Sequence, residues 1–379
     1  MSEFQPFLME RMMSKFEQEV EYNLSESGVH PVSLGELLDN DPGRINQLLA
    51  TNLNYPYANG NPELREKIAA LYDGATADNV LVTVGAAEAN YITTRTLLSV
   101  GDEIVIMLPN YMQIWGVAKN HGLRIKEFHL REDLGWAADL DELNAMVTPD
   151  TKLIAVCNPD NPTGYILTKA EMDAIVAAAD RVGAWILADE VYSGAERLTD
   201  KQTPSFYGRY DKVVAVGSLS KAYGLPGLRV GWVVAPPDTV DEIWARHEYV
   251  TIAATVLANK LAALALSPEV RPRLIQRTRD YIRKGYKVLQ EWMDSHRDTF
   301  SLTPPQAAAI AFVRYHLDIN STHFTERLRR EKSVLVVPGD HFGIDHFFRI
   351  SFGLPHDYLI AGLNRIHELI AELQEGSTP

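Results

Sequence analysis

Short apolar runs alternate with helical patterns along the middle of the chain. The runs are rich in β-branched residues, are bounded by Gly, Pro or Asp, and are apolar at consecutive positions. Consecutive apolar positions are typical of strands in a sheet that helices cover on both faces. Six such runs predict strands: NVLVTVG (79–85), DEIVIMLPN (102–110), TKLIAVCNP (151–159), AWILADEVY (184–192), KVVAVGSLS (212–220) and LRVGWVVAP (228–236).

Helical patterns lie between these runs. AEANYITTRTLLSV (87–100) is one, and TKAEMDAIVAAADRVG (168–183) is another, with Thr168 and Glu171 in the spacing of a capping box. Strands that alternate with helices predict an α/β domain with a mostly parallel sheet. In such sheets the active site lies at the carboxyl ends of the strands, where the connecting loops gather.

The last hundred residues show a different pattern. Residues 270–296 form a long amphipathic pattern, which predicts a helix that joins two domains. Strand-like runs at 300–315, 333–343 and 347–353 follow, and a closing helical pattern covers 356–374. These elements predict a separate, smaller α+β domain.

The predicted division of the chain has three parts. Residues 1–45 form an N-terminal arm and part of the small domain, residues 46–285 form the large domain, and residues 286–379 form the small C-terminal domain.

Composition and charge argue against some classes of protein and indicate a cellular compartment. The chain has 36 basic and 50 acidic residues and a formal charge of −14, which argues against general binding to nucleic acid or to anionic membranes. Its single cysteine, Cys157, cannot form an internal disulfide and fits a reducing compartment. The N-terminus lacks the apolar core of a signal peptide, and no run is long enough to span a bilayer. We therefore predict a cytoplasmic protein.

The stretch SLSKAYGLPGLRVGW (218–232) contains the strongest chemical signal. Ser218, Ser220 and Lys221 fall just past the carboxyl end of a predicted strand, and Arg229 follows eight residues later. Hydroxyl groups and a fixed positive charge suit a phosphate dianion. A partly desolvated lysine beside them can lose its proton and form an imine with an aldehyde. A phosphate and an aldehyde together indicate pyridoxal phosphate.

Other polar groups follow neighbouring strands. Asn161 lies in NPDNPTG (158–164) and could donate a hydrogen bond to a ring oxygen, although a plain turn explains this composition equally well. Asp189 ends an apolar strand, where its carboxylate could hold a protonated pyridine nitrogen, and Tyr192 could donate to the phenolate oxygen. The turn at 85–87 opens a helix whose backbone amides could bind phosphate.

The order of these motifs resembles the class I/II aminotransferases, which are fold type I pyridoxal-phosphate enzymes, over nearly the whole chain. The matching segments are YPYANGNPELR (55–65), NPDNPTG (158–164), ADEVYSG (188–194), SLSKAYGLPGLRVGW (218–232), VLVVPGDHFG (334–343) and FRISFG (348–353). The resemblance implies a large domain with a mostly parallel seven-stranded sheet between helices, and a smaller α+β domain.

The resemblance also implies roles for individual residues. Lys221 would form the aldimine with the cofactor and shuttle a proton, with Asp189 on the pyridine nitrogen, Tyr192 and Asn161 on the phenolate oxygen, and Tyr111 stacked on the ring. The phosphate would be held by Gly85, Ala86, Ala87, Ser218, Ser220 and Arg229, and by Tyr55 from a neighbouring subunit. Shared active sites imply a homodimer.

The implied reaction is the transfer of an amino group from an α-amino acid to a 2-oxo acid, through pyridoxamine phosphate. Arg349 would grip the substrate α-carboxylate, with Gly28 and Asn161 close by. Gly35 is an alternative for the position of Gly28. No metal site is expected, because His341 and His346 lack further ligands in suitable spacing.

The N-terminal segment NLSESGVHPVSLGEL (23–37) departs from the family pattern and looks like that of capreomycidine synthase, a relative that cyclises a hydroxylated arginine. A lyase or cyclase with the same cofactor is therefore the alternative reaction. Acidic residues such as Glu26 and Glu36 would favour a basic substrate if they border the site, although surface exposure also explains them. A pyridoxal-sensing transcription regulator is disfavoured, because it needs a DNA-binding domain and the chain is acidic.

Overall fold

The computed structural model describes residues 4–375. The strands are β1 (Tyr22–Asn23), β2 (Val80–Thr83), β3 (Glu103–Leu108), β4 (Arg124–Arg131), β5 (Ala137–Ala138), β6 (Thr151–Cys157), β7 (Trp185–Asp189), β8 (Val213–Ser218), β9 (Gly231–Val234), β10 (Phe300–Ser301), β11 (Ile310–Tyr315), β12 (Val334–Leu335), β13 (Val337–Pro338) and β14 (Phe347–Ser351).

The helices connect and cover these strands. They are α1 (Leu8–Phe16), α2 (Leu34–Leu37), α3 (Pro42–Leu49), α4 (Pro62–Ala69), α5 (Gly85–Leu97), α6 (Gln113–His121), α7 (Leu140–Met146), α8 (Lys169–Val182), α9 (Pro237–His247), α10 (Val256–Ala265), α11 (Arg271–Asp294), α12 (Ser321–Lys332) and α13 (His356–Glu375). The capping box predicted from Thr168 and Glu171 is present at the start of α8.

An eight-stranded sheet in the order β2-β9-β8-β7-β6-β3-β4-β5 organises the larger part of the molecule. The pairs β8–β7, β7–β6, β6–β3 and β3–β4 are parallel, whereas β9 and β5 run against their neighbours. The mostly parallel α/β sheet is confirmed. It has one strand more than the seven expected, because the two-residue strand β5 pairs with the end of β4.

The six apolar runs all form strands of this sheet, and helices bury both of its faces. Along β6, Leu153 and Ala155 pack into one apolar cluster, whereas Ile154 and Val156 pack into another on the opposite face. The apolar pattern did not predict β4, whose sequence RIKEFHLR is mostly polar and whose ends are exposed. A strand near the sheet edge buries few side chains, so it carries little apolar signal.

A second sheet is built from the last third of the chain. It is antiparallel with the order β10-β11-β14-β13, and the helices α12 and α13 pack beside it. The short strand β1 pairs in parallel with β12, so the N-terminal segment joins the C-terminal elements. The predicted domain boundaries at 45 and 285 stay a prediction.

Parallel pairing places the ends of several strands at one edge of the large sheet. Cys157 at the end of β6 pairs with Asp189 at the end of β7, and Asp189 in turn pairs with Val216 of β8. The loops that follow these strands therefore meet at this edge. Within residues 4–375, no helix combines the length and the apolar character that crossing a bilayer requires.

The 24-residue helix α11 approaches the end of β14 very closely at one glycine. A Cβ at Gly285 would lie 1.7 Å from the Phe352 carbonyl oxygen, whereas a Cβ at Gly116 of α6 would meet no atom within 4 Å. We expect Gly285→Ala to lower the free energy of unfolding by about 1–3 kcal/mol through overpacking. Gly116→Ala should raise it by about 0.5–1 kcal/mol, since alanine favours helices.

The thermal midpoints of the two variants, measured by circular dichroism, test this packing. Equal midpoints for the two alanine variants would show that α11 and the segment after β14 are not in this contact.

Candidate active site

A cavity of about 560 Å³ opens at the edge of the large sheet where β6, β7 and β8 end. Eleven of the residues singled out in the sequence line it: Ala86, Ala87, Tyr111, Asn161, Asp189, Tyr192, Ser218, Ser220, Lys221, Arg229 and Arg349. Tyr55 lies outside this lining and is 83% exposed. Four of the six matching segments, which are far apart in the sequence, thus contribute residues to one cavity.

Local hydrogen bonds fix the loops that carry these residues. Asp160 accepts hydrogen bonds from the Thr163 amide (3.1 Å) and hydroxyl (2.6 Å), which holds the turn that presents Asn161. Ser218 Oγ accepts from the Ser220 amide at 3.0 Å and so shapes the turn before Lys221. Short polar side chains stabilise such turns by bonding the backbone two or three residues on.

The Lys221 amine points into the cavity and donates to Ser27 Oγ at 2.7 Å. Burial lowers the pKa of this amine below its ordinary value, while the carboxylate of Glu26 opposes the shift. A lowered pKa makes the neutral, nucleophilic amine easier to reach near neutral pH.

Asp189 is buried at the end of β7, with neutral hydrogen-bond partners. One of its oxygens accepts from Asn90 Nδ2 at 2.8 Å and the other from the Val191 amide at 3.2 Å. Burial raises the pKa of this carboxyl group, and the two hydrogen bonds oppose the rise. A cationic group placed against Asp189 in the cavity would stabilise the carboxylate, so the position fits a protonated ring nitrogen.

Arg349 connects the two sheets. It lies on β14, is 1% exposed, and donates to Asn161 Oδ1 at 2.9 Å and to the Ser25 carbonyl at 2.7 Å. Its Nε is buried and has no hydrogen-bond partner among residues 4–375. Burial lowers the pKa of the guanidinium, although Tyr192 and Glu10 oppose the shift. A buried, incompletely paired guanidinium is suited to bind a carboxylate.

Two tyrosines border the same space in different ways. The Tyr192 hydroxyl is buried without a hydrogen-bond partner in the described chain, and burial raises the pKa of its phenol. The Tyr111 hydroxyl instead donates to Glu10 Oε1 at 2.5 Å, and its ring meets Phe7 edge-on with centroids 5.1 Å apart. The unpaired hydroxyl of Tyr192 is available to a bound molecule, whereas that of Tyr111 is engaged.

The turn before α5 and Arg229 form a compact cradle. Gly85 has φ +79°, and a Cβ there would lie 2.4 Å from Arg229 Nη2. A Cβ at Gly231 would lie 2.4 Å from the Ala86 amide nitrogen, so that position also requires glycine. The first amides of a helix have no intrahelical acceptor, and together with Arg229 they fit a phosphate group.

The fit to a phosphorylated aromatic cofactor rests on these features together. The cradle at Gly85 and Arg229 suits its phosphate, the buried carboxylate of Asp189 suits its ring nitrogen, and the unpaired Tyr192 hydroxyl suits a ring oxygen.

Gly28 and Gly35 were alternatives for the glycine that lies beside the active site, and the structure distinguishes between them. A Cβ at Gly28 would lie 3.8 Å from Lys221 Cδ, whereas the atoms nearest to a Cβ at Gly35 belong to Asn40. Gly28 is therefore the glycine beside the lysine.

Several lining residues were not found from the sequence. They are Glu10, Met13, Glu17, Ser27, Asn90, Cys157, Val191, Pro226 and Gly227, whereas Glu26 was noted as bordering the site. Glu10 and Met13 lie on α1, which has the ordinary amphipathic pattern of a surface helix. No local signal distinguishes their role, because only the packing of α1 over Tyr111 and Arg349 brings them to the cavity.

Comparison with known proteins supports the same assignment. The family model described as Aminotransferase class I and II matches residues 43–366. Capreomycidine synthase from Streptomyces vinaceus is 32% identical over 356 residues, which cover 91% of this chain and 89% of that protein.

Two solved structures have similar folds. A PLP-dependent aminotransferase from Streptococcus suis 89-1591 superposes with a TM-score of 0.92 at 30% identity, covering 98% of this chain and 99% of that one. The PLP-dependent cyclase OrfR superposes with a TM-score of 0.87 at 29% identity, covering 97% of each chain. With four of its motifs gathered around one cavity, this chain belongs to the aminotransferase class I and II family, and its cofactor is pyridoxal 5′-phosphate.

Proposed function

We propose that this protein is an aminotransferase that moves the amino group of an α-amino acid with a positively charged side chain to a 2-oxo acid. The observation that carries the proposal is the set of three glutamates, Glu10, Glu17 and Glu26, that line the cavity together with Lys221 and Arg349.

The charges of the cavity divide into groups with different partners. Arg229 belongs to the phosphate cradle, and Arg349 is the cation available to a substrate α-carboxylate. Among residues 4–375, none of the three glutamates forms a salt bridge, although Glu26 and Glu10 act at longer range on Lys221 and Arg349. Burial raises the pKa of Glu17, and repulsion from Glu26 and Glu10 raises it further. A cationic substrate side chain would relieve this repulsion, whereas a dicarboxylate would increase it.

The residues of this chain divide the work of the reaction as follows. Asp189 would hold the protonated ring nitrogen of the cofactor, while Tyr192 and the Nδ2 amide of Asn161 would donate to its phenolate oxygen. Arg349 binds the α-carboxylate and thereby orients the substrate, and Lys221 Nζ accepts the proton that leaves the substrate Cα. Bound pyridoxal phosphate supplies an electron sink for the electron pair left on that carbon.

A lyase or cyclase reaction on the same kind of amino acid is the second candidate. It is favoured by the similarity to capreomycidine synthase and to the cyclase OrfR, and by the N-terminal segment that departs from the usual family pattern. Both reactions begin with the removal of a proton from Cα, so the same residues serve either one.

We further propose a cytoplasmic homodimer with shared active sites. The exposed side chains of Leu53, Tyr55 and Tyr57 support this proposal, because several exposed apolar side chains in one segment are typical of an interface between subunits. Gel filtration of the purified protein against the mass of 42.4 kDa for one chain tests the oligomeric state.

The first prediction concerns the anchoring amine. Borohydride treatment of the wild-type protein should fix the cofactor covalently, because hydride would reduce a double bond between Lys221 Nζ and the aldehyde carbon of the cofactor to a stable amine. Lys221→Ala should lose this adduct completely, whereas Lys169→Ala, at a surface lysine paired with Asp173, should keep it. Peptide mass spectrometry locates the adduct, and an adduct that persists in Lys221→Ala would place the anchor elsewhere.

The second prediction separates the two reactions. In a single turnover without acceptor, L-arginine should convert the cofactor stoichiometrically to its amine form, which absorbs in the near ultraviolet. Added 2-oxo acid should then restore the original spectrum. A cyclase or lyase would instead return the original spectrum without acceptor and release a new product from arginine or hydroxyarginine, which chromatography and mass spectrometry would identify.

The third prediction concerns substrate charge. Glu17→Gln and Glu26→Gln should each raise KM for arginine about tenfold, which corresponds to about 1.4 kcal/mol of lost interaction. Citrulline has nearly the same shape without the charge, so its KM should change less than twofold. Glu19→Gln, on the same segment but outside the cavity lining, should leave both KM values unchanged. An equal rise for arginine and citrulline would contradict a role for charge.

A further inference from the structure

A buried cluster of hydrogen-bonded polar side chains lies behind the phosphate cradle, outside the cavity lining. His247, the last residue of α9, is fully buried, and Glu88, in the first turn of α5, is 8% exposed. His247 Nδ1 lies 3.0 Å from Glu88 Oε1, which also accepts a hydrogen bond of 2.7 Å from the Thr251 hydroxyl. None of the functional motifs in the sequence includes these residues.

Both nitrogens of the His247 ring face acceptors. Nδ1 faces the Glu88 carboxylate, and Nε2 lies 3.1 Å from the carbonyl oxygen of Ala58. A neutral imidazole has one N–H and can satisfy one of these contacts only. The geometry therefore points to an imidazolium that forms a buried ion pair with Glu88 and donates to Ala58.

The pair ties together two segments that flank the cradle. The second oxygen of Glu88 accepts from the Val84 amide at 2.6 Å, and Val84 directly precedes Gly85. His247 in turn holds the loop at Ala58, and the next residue of that loop, Asn59, accepts a hydrogen bond of 3.1 Å from Val82 of β2. The strand, the loop and the turn that begins α5 are thus held by one hydrogen-bonded chain.

The ion pair also removes an electrostatic repulsion at the start of α5. A carboxylate in the first turn of a helix is favourable for the helix dipole, but it would repel a phosphate dianion bound at the same helix end. The His247 imidazolium neutralises Glu88 and removes this repulsion while the Glu88–Val84 contact is kept.

We infer that Glu88 and His247 are positioning residues for the cofactor phosphate, acting through the turn at Val84–Ala87. The inference rests on the phosphate role proposed for this cradle. Substitution of His247 alone would leave the Glu88 carboxylate without a countercharge, so that it repels the phosphate. Substitution of both residues would remove the carboxylate as well, so no repulsion would remain.

The test compares pyridoxal phosphate with pyridoxal, which lacks the phosphate, as ligands of the full-length protein freed of its cofactor. His247→Gln should raise Kd for pyridoxal phosphate at least tenfold and change Kd for pyridoxal less than twofold. Glu88→Gln together with His247→Gln should recover most of the affinity, because no charge remains unpaired. Glu103→Gln, at a buried carboxylate bonded to Thr148 and Thr151 at the start of β3, is the matched control and should change neither Kd.

The inference is wrong if His247→Gln binds pyridoxal phosphate as tightly as the wild type, or if it loses affinity for both ligands equally. Should His247→Gln fail to fold, Glu88→Ala and Glu88→Gln supply the comparison. Glu88→Gln keeps a side-chain oxygen that can accept from the Val84 amide, whereas Glu88→Ala does not. Glu88→Ala should therefore bind pyridoxal phosphate at least tenfold more weakly than Glu88→Gln. Equal affinities of the two variants would overturn the inference. A wild-type protein that binds no pyridoxal phosphate would instead overturn the cofactor role of the cradle.

Discussion

The parallel pairing of β6, β7 and β8 is the constraint on which the site depends. Because parallel strands end at the same edge of a sheet, the pairing of Cys157 with Asp189 and of Asp189 with Val216 brings the following loops together. Asn161, Asp189 and Lys221 consequently share one cavity although their motifs are about thirty residues apart. Each strand is buried on both faces, so a slip in register would move its side chains into core positions that are packed around different neighbours.

The second sheet completes the cavity through one buried side chain. Arg349 comes from β14, and its hydrogen bond to Asn161 spans the space between the two sheets. Since burial of an unpaired guanidinium is costly, this contact and the one to the Ser25 carbonyl stabilise the approach of the small sheet and of the N-terminal segment. Arg349 is also the residue proposed to bind the substrate carboxylate, so packing and the proposed recognition use one side chain.

Charge is distributed unevenly around this cavity. Arg229 stands at the phosphate cradle, Arg349 lies opposite between the sheets, and the glutamates come from the N-terminal arm and α1. The burial that lowers the pKa of the Lys221 amine also raises that of Asp189. The protonation states of both side chains are therefore sensitive to a charged molecule that enters the cavity. This sensitivity is expected of residues that bind and react, and not of a structural ion pair.

The sequence by itself determined the α/β class, the six buried strands, the helix capped by Thr168, and the cofactor, because each depends on local pattern or on motif order. It did not determine β4, whose polar edge position leaves little apolar signal. Only the tertiary structure brought Glu10 to Tyr111, Gly28 rather than Gly35 to Lys221, and His247 to Glu88. These contacts join residues about 100 to 200 positions apart in the sequence, and no local pattern records which distant side chains the packing of helices and sheets will bring together.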